Sequence, residues 1–247
     1  ATLPFGAPPD PSSLGPGSPP LVASYEIVYL PSASVLASLR EQSATRKPAP
    51  RMVAVLADPV FDSGDARVRR AQQPAPLQAK HNGPPGAANG TVRFARLPFS
   101  RREAEAILAL VPAGQGMRAL DFEASRATAA SEQLRQYRIV HFTTHALLDR
   151  GNPESSGIVL SLVNERGSAQ DGFLRLGDIT RLNLPAELVV LSGCQTALGK
   201  QVAGEGVVGL AYGFLYAGSQ RVVASLWQVE DEATAELMRR FYAQMLG

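Results

Sequence analysis

The chain has 247 residues, 45% of them hydrophobic and 19% charged, with 24 Lys and Arg against 22 Asp and Glu for a net charge of +2. This suits one large or two small globular domains, and so even a balance offers no field of one sign for nucleic acid or an anionic membrane. The single cysteine, Cys194, excludes an internal disulfide and favours a reduced compartment, the cytoplasm. Only Lys47, Lys80 and Lys200 are lysines, an arginine bias that points to a GC-rich bacterial source. The longest apolar stretch, residues 207–218, is shorter than the roughly 20 residues that span a bilayer. The amino terminus, Ala1-Thr2-Leu3, lacks an initiator Met and a signal pattern, and reads as cut from a longer protein.

Residues 1–20 hold seven Pro and three Gly, the composition of a linker or extended strap. A domain is expected over 21–247. Residues 25–30 alternate as a strand, 33–40 carry helical spacing after Pro31-Ser32, and 52–57 form a more buried strand closed by Asp58-Pro59. From about 62 to 98 apolar periodicity gives way to Pro, Gly, Gln and Arg, which reads as a flexible insertion with a solvated Arg67, Arg69 and Arg70. Ser100 and Glu103 have the spacing of a capping box for a helix over 100–110. A weak strand at 119–122, a helix over 125–136 and a strand over 138–145 follow. Residues 157–162 and 173–174 resemble a hairpin, and 176–182 a short helix. A strand at 188–191, a buried helix over 206–217, a strand at 220–226 and an amphipathic helix over 231–245 complete the series. This alternation predicts an α/β fold, a mostly parallel central sheet flanked by helices on both faces.

Two of these runs end on reactive groups, Val140-His141-Phe142-Thr143-Thr144-His145 and Leu191-Ser192-Gly193-Cys194-Gln195-Thr196. Open parallel sheets place their chemistry at such carboxyl ends. Gly204-Glu205-Gly206-Val207-Val208-Gly209 matches a dinucleotide fingerprint literally but stands about a dozen residues beyond its strand, too far for the tight turn that motif needs. His141 and His145, in an extended run, would lie roughly 13 Å apart, too far to share a metal ion. No cofactor and no metal are therefore expected. A free thiol is about 3% thiolate at pH 7, and a neighbouring imidazole raises its nucleophilicity. Spacing alone leaves two readings open: a Cys–His pair for acyl transfer, or a buried cysteine beside a turn histidine.

With Gly204-Glu205-Gly206, Ala224-Ser225-Leu226-Trp227 and Asp231 through Tyr242, these two motifs resemble the CHAT family, caspase-like domains usually appended to tetratricopeptide repeats. Tyr29-Leu30-Pro31-Ser32 and Ala57-Asp58-Pro59-Val60-Phe61 resemble its amino-terminal half, so the likeness runs from about Leu21 to Leu246. It implies a caspase-like fold and a cysteine endopeptidase acting on protein or peptide substrates, with Cys194 as nucleophile and His145 as general acid/base. It also implies an oxyanion hole from the N–H groups of Ala146 and Cys194, and regulation by helical repeats in the full-length chain. Ser225, Trp227 and Asp231 are candidate substrate contacts, Asp231 as an acidic wall for a basic side chain or as a helix cap. Ala146 stands where the family usually has Gly. A positive φ there would be costly for Ala, and this motivates the alternative of a catalytically inactive interaction or signalling module.

Overall fold

A computed structural model describes residues 41, 46–68, 93–148, 153–193, 195–197, 205–225 and 229–247. The chain divides into residues 1–46 and 47–247. The linker over 1–20, the strand at 25–30 and the helix over 33–40 lie outside the described residues, and the fold below is that of the second part.

In chain order the elements are β1 (Arg51–Pro59), α1 (Pro98–Leu108), β2 (Gly116–Asp121), α2 (Arg126–Ala129), a 3-10 turn (Glu132–Gln136), β3 (Tyr137–Thr143) and β4 (Ala146–Leu148). Then come β5 (Gly157–Val159), β6 (Phe173–Arg175), α3 (Leu176–Ile179), β7 (Leu188–Ser192), β8 (Gln195–Ala197), α4 (Glu205–Tyr216), β9 (Val222–Ala224) and α5 (Asp231–Leu246). Five strands form one sheet in the order β2-β1-β3-β7-β9, and every neighbouring pair in it is parallel. A smaller sheet runs β6-β5-β4-β8.

The central strands are apolar on both faces because both are covered. Val53, Val55, Ala57, Ile139 and Val190 pack against Ala104 and Ile107 of α1 and Met238 and Tyr242 of α5. Ala54, Leu56, Val140, Phe142 and Val189 face Leu210 and Phe214 of α4 and Ile179 of α3. Among the described residues no helix is long and apolar enough to cross a membrane.

Three expectations change. Helix α1 begins at Pro98, whose fixed φ and missing N–H suit a first helical position. Ser100 thus lies inside the first turn, its Oγ donating to Leu97 O at 2.6 Å, and Glu103 is buried instead of closing a capping box. The helix expected over 125–136 is a single turn capped by Ser125, which accepts from Thr128 N, followed by the 3-10 turn. The stretch read as a loose insertion over 62–98 is bound into the fold near both ends, by Arg67 and Arg96 on Asp58; residues 69–92 lie outside the described residues.

Candidate active site

Strands β3 and β7 pair in parallel as far as Thr143 opposite Ser192. Pairing resumes with Ala146 opposite Gln195, where β4 runs parallel to β8. Both strands are therefore interrupted at the same rung and for the same length, by Thr144-His145 in one and Gly193-Cys194 in the other. Cys194 itself lies outside the described residues. Gly193 is required by packing: a Cβ there would run into the carbonyl oxygen of Thr144. Thr144 in turn is fixed by its Oγ1, which donates to Val159 O at 2.6 Å.

His145 is 7% exposed. Phe61 and Phe94 enclose its ring, with centroids 5.3 and 5.5 Å away. Its Nε2 lies 2.7 Å from the carbonyl oxygen of Ala95. A carbonyl only accepts, so Nε2 carries the proton, and in the neutral ring Nδ1 holds the lone pair. Burial pushes the imidazole below its usual range, against the opposing pull of the Ala95 carbonyl and the Asp231 carboxylate. At neutral pH the ring is thus uncharged and able to accept a proton at Nδ1.

Ala146 is the first residue of β4, opposite Ile158. Among the described residues the non-glycine positions with positive φ are Asp58, Asp121 and Asn183, so Ala146 carries no such strain. Ser225 follows β9; its Oγ donates to Gly193 O at 3.3 Å, and with His145 and Gly193 it borders a narrow pocket floored by Phe142, Ile158, Leu191 and Leu210. Trp227 lies outside the described residues. Asp231 opens α5, yet its Oδ2 accepts from Phe99 N at 2.9 Å, so it caps α1 and not its own helix. Burial pushes the Asp231 carboxyl up, partly countered by the Phe99 N–H.

Beneath this rim lies a buried polar chain that the sequence did not announce. Glu103, 1% exposed, sits 2.7 Å from His141 Nε2 and accepts from Thr143 Oγ1 at 3.1 Å. His141 Nδ1 is 3.0 Å from Tyr242 Oη. Burial, with Glu103 nearby, pushes the Tyr242 phenol up, so it keeps its proton and donates to Nδ1, leaving Nε2–H to donate to Glu103. His141 is accordingly structural. Ser192 Oγ, on the same face of the sheet and opposite Thr143, is buried without a hydrogen-bond partner among the described residues.

Beside the site, Asp58 near the end of β1 has a fully buried side chain, paired with Arg67 at 3.0 Å, Arg96 at 2.7 Å and Arg101 at 2.8 Å. Arg67 also pairs with Asp65 and Asp121, and Arg101 with Asp121. Arg67, expected on a solvated surface, is instead at the centre of this cluster and holds the Asp65 carboxyl down to about 2. Burial opposes the charge of Asp121, but Arg101 and Arg67 outweigh it and keep that carboxyl below its usual range.

A five-stranded parallel sheet with helices on both faces, whose third and fourth strands break together beside a buried histidine, defines an α/β domain of caspase-like architecture. The chain belongs to the CHAT domain family, whose model matches residues 1–247. It is 38% identical over 78 residues to "Tetratricopeptide repeat protein 28" of Homo sapiens, a stretch covering 32% of this chain and 3% of that protein. The protein of the same name from Mus musculus is 40% identical over 75 residues, 30% of this chain and 3% of its own length. The chain thus spans only a small part of these relatives.

Proposed function

We propose that this domain is a cysteine endopeptidase in which Cys194 is the nucleophile and His145 the general acid and base. The observation that carries this reading is the shared interruption of β3–β4 and β7–β8, which sets Thr144-His145 and Gly193-Cys194 between the same two rungs. A lone-pair Nδ1 on a buried, neutral imidazole takes the thiol proton as sulfur bonds to the scissile carbonyl carbon. The carbonyl π pair moves onto oxygen, where the N–H groups of Ala146 and Cys194 would stabilise it. Collapse of this intermediate breaks the C–N bond while the imidazolium gives its proton to the leaving amine. Water, deprotonated by the same nitrogen, then cleaves the thioester and frees the thiol.

Ser225 borders the pocket beside His145, and Asp231, whose carboxylate acts on the same imidazole, would favour a cationic substrate side chain. Trp227 is proposed as a further subsite residue. The relatives' name supports placement beside tetratricopeptide or other helical repeats, which would gate access, and the single thiol calls for a reducing compartment. Labelling by an electrophilic peptide tests the reading: covalent adduct on Cys194, lost in His145→Ala, is expected. A folded protein that cleaves a profiled peptide library undiminished after Cys194→Ala would refute the dyad. No adduct and no cleavage in the unsubstituted protein would assign it to the interaction-module alternative.

A further inference from the structure

The group that fixes the tautomer of His145 is a main-chain carbonyl, and a carbonyl is only as well placed as its backbone. Residues 93–97 cross the rim as a strap without regular structure. Three consecutive residues of it are engaged: Phe94 packs at a tilt against the imidazole, Ala95 O accepts from Nε2, and Arg96 closes a fork on Asp58, Nε to Oδ1 at 2.9 Å and Nη2 to Oδ2 at 2.7 Å. Asp58 is a rigid anchor. Its side chain is fully buried, its backbone is held at φ 48° with the carbonyl bound to Arg67 Nη1 at 2.8 Å, and Arg67 and Arg101 grip the carboxylate from other elements. Arg96 alone among the three arginines belongs to the strap, and it adjoins the carbonyl in question.

We infer that Arg96 is a positioning residue for His145: by locking the strap onto Asp58 it holds the Ala95 carbonyl against Nε2 and so leaves Nδ1 as the basic nitrogen. The inference rests on the Cys–His reading for its catalytic consequence, though not for its geometry. A two-pronged guanidinium–carboxylate pair fixes direction as well as distance, which a single ammonium contact does not. Without the fork, the Ala95 carbonyl no longer selects the Nε2–H form, and the form with the proton on Nδ1 cannot accept one from a thiol.

The test uses the whole protein with 15N-labelled histidine, because long-range 1H–15N spectra separate the two tautomers and the chain has three histidines to assign. Arg96 is the exposed partner of its pair, so Arg96→Gln leaves Asp58 with Arg67 and Arg101 and should fold, as circular dichroism will verify. The expected result is an Nε2–H imidazole at His145 before substitution and a mixture after it. Acylation of Cys194 by an electrophilic peptide should slow on the order of ten- to a hundredfold at unchanged initial binding, the scale of a misplaced catalytic group. Arg96→Lys should recover only part of the rate. A His145 that stays wholly Nε2–H in Arg96→Gln overturns the inference whatever the rate. A tautomer shift with no acylation in either protein upholds the positioning role and refutes the Cys–His reading.

Discussion

Replacing Glu103 should be among the most damaging single changes to stability in this fold. The carboxylate is the acceptor for two buried donors, His141 Nε2 at 2.7 Å and Thr143 Oγ1 at 3.1 Å, on a face closed by α1 and α5. Glu103→Ala leaves both unpaired, and each orphaned buried donor costs about 1–3 kcal/mol. The Thr143 hydroxyl is a rotor, which sets its share near the low end, so the loss should be about 2–4 kcal/mol. For a domain of this size that corresponds to a fall in Tm of roughly 4–16 °C. Glu103→Gln keeps one acceptor oxygen and should lose about 1–2 kcal/mol. Glu103→Met fills the space and should still resemble Ala, because the damage is unpaired polarity and not a cavity. Combining Glu103→Met with His141→Leu should cost less than the sum of the two, since the second change removes the donor that the first orphans. Urea unfolding followed by circular dichroism gives each value. If Glu103→Ala lies within 1 kcal/mol of the unsubstituted protein, or Glu103→Met is as stable as it, the assigned network is wrong.

Gly193→Ala should force apart the two loops at the interrupted rung, because its Cβ meets the Thr144 carbonyl; acylation of Cys194 should fall about a hundredfold with a stability loss of about 1–3 kcal/mol, and normal labelling kinetics would contradict this. His145, buried and depressed, should titrate below 6.5 in an NMR pH series on Cys194→Ala. Since its folded value is the lower one, the unfolded chain takes up protons first, and stability linked to this group is intact above pH 6.5 and declines as pH falls through the folded value. A titration at or above 6.5 would refute the enclosure by Phe61 and Phe94. Asp231→Ala should cost about 1 kcal/mol by uncapping α1, and amide hydrogen exchange should rise at Phe99 and not at the start of α5; the reverse pattern would restore the capping of its own helix.

What the sequence disclosed and what it hid follow from the range of each interaction. Strands β1, β3 and β7 were legible because burial on both faces writes itself as an unbroken apolar run, and the reactive residues were legible as the point where such runs end. Local rules failed where a distant partner intervened. Ser100 and Glu103 have capping-box spacing, but Pro98 starts the helix earlier and His141 claims the glutamate. Asp231 has the position of a cap for α5, yet its carboxylate accepts from Phe99 N of α1. Arg67 sits in a polar stretch with every local mark of solvent, while Asp58 and Asp121 draw it inward. Ala95 left no mark at all, since it contributes a carbonyl that any residue has. Phe61 just before that stretch and Phe94 near its end were the available sign that part of it folds back onto the sheet.

The matched break in the two strands makes the length of each loop a constraint in its own right, beside its chemistry. Side chains along β4 alternate between faces, so removing Thr144 alone would shift that strand by a rung and turn Leu147 out of the cluster it shares with Val159 and Phe173. Removing one residue from each loop would restore the pairing and erase the site. A single insertion or deletion between Thr143 and Ala146, or between Ser192 and Gln195, is thus uncompensated unless the other loop changes by the same length.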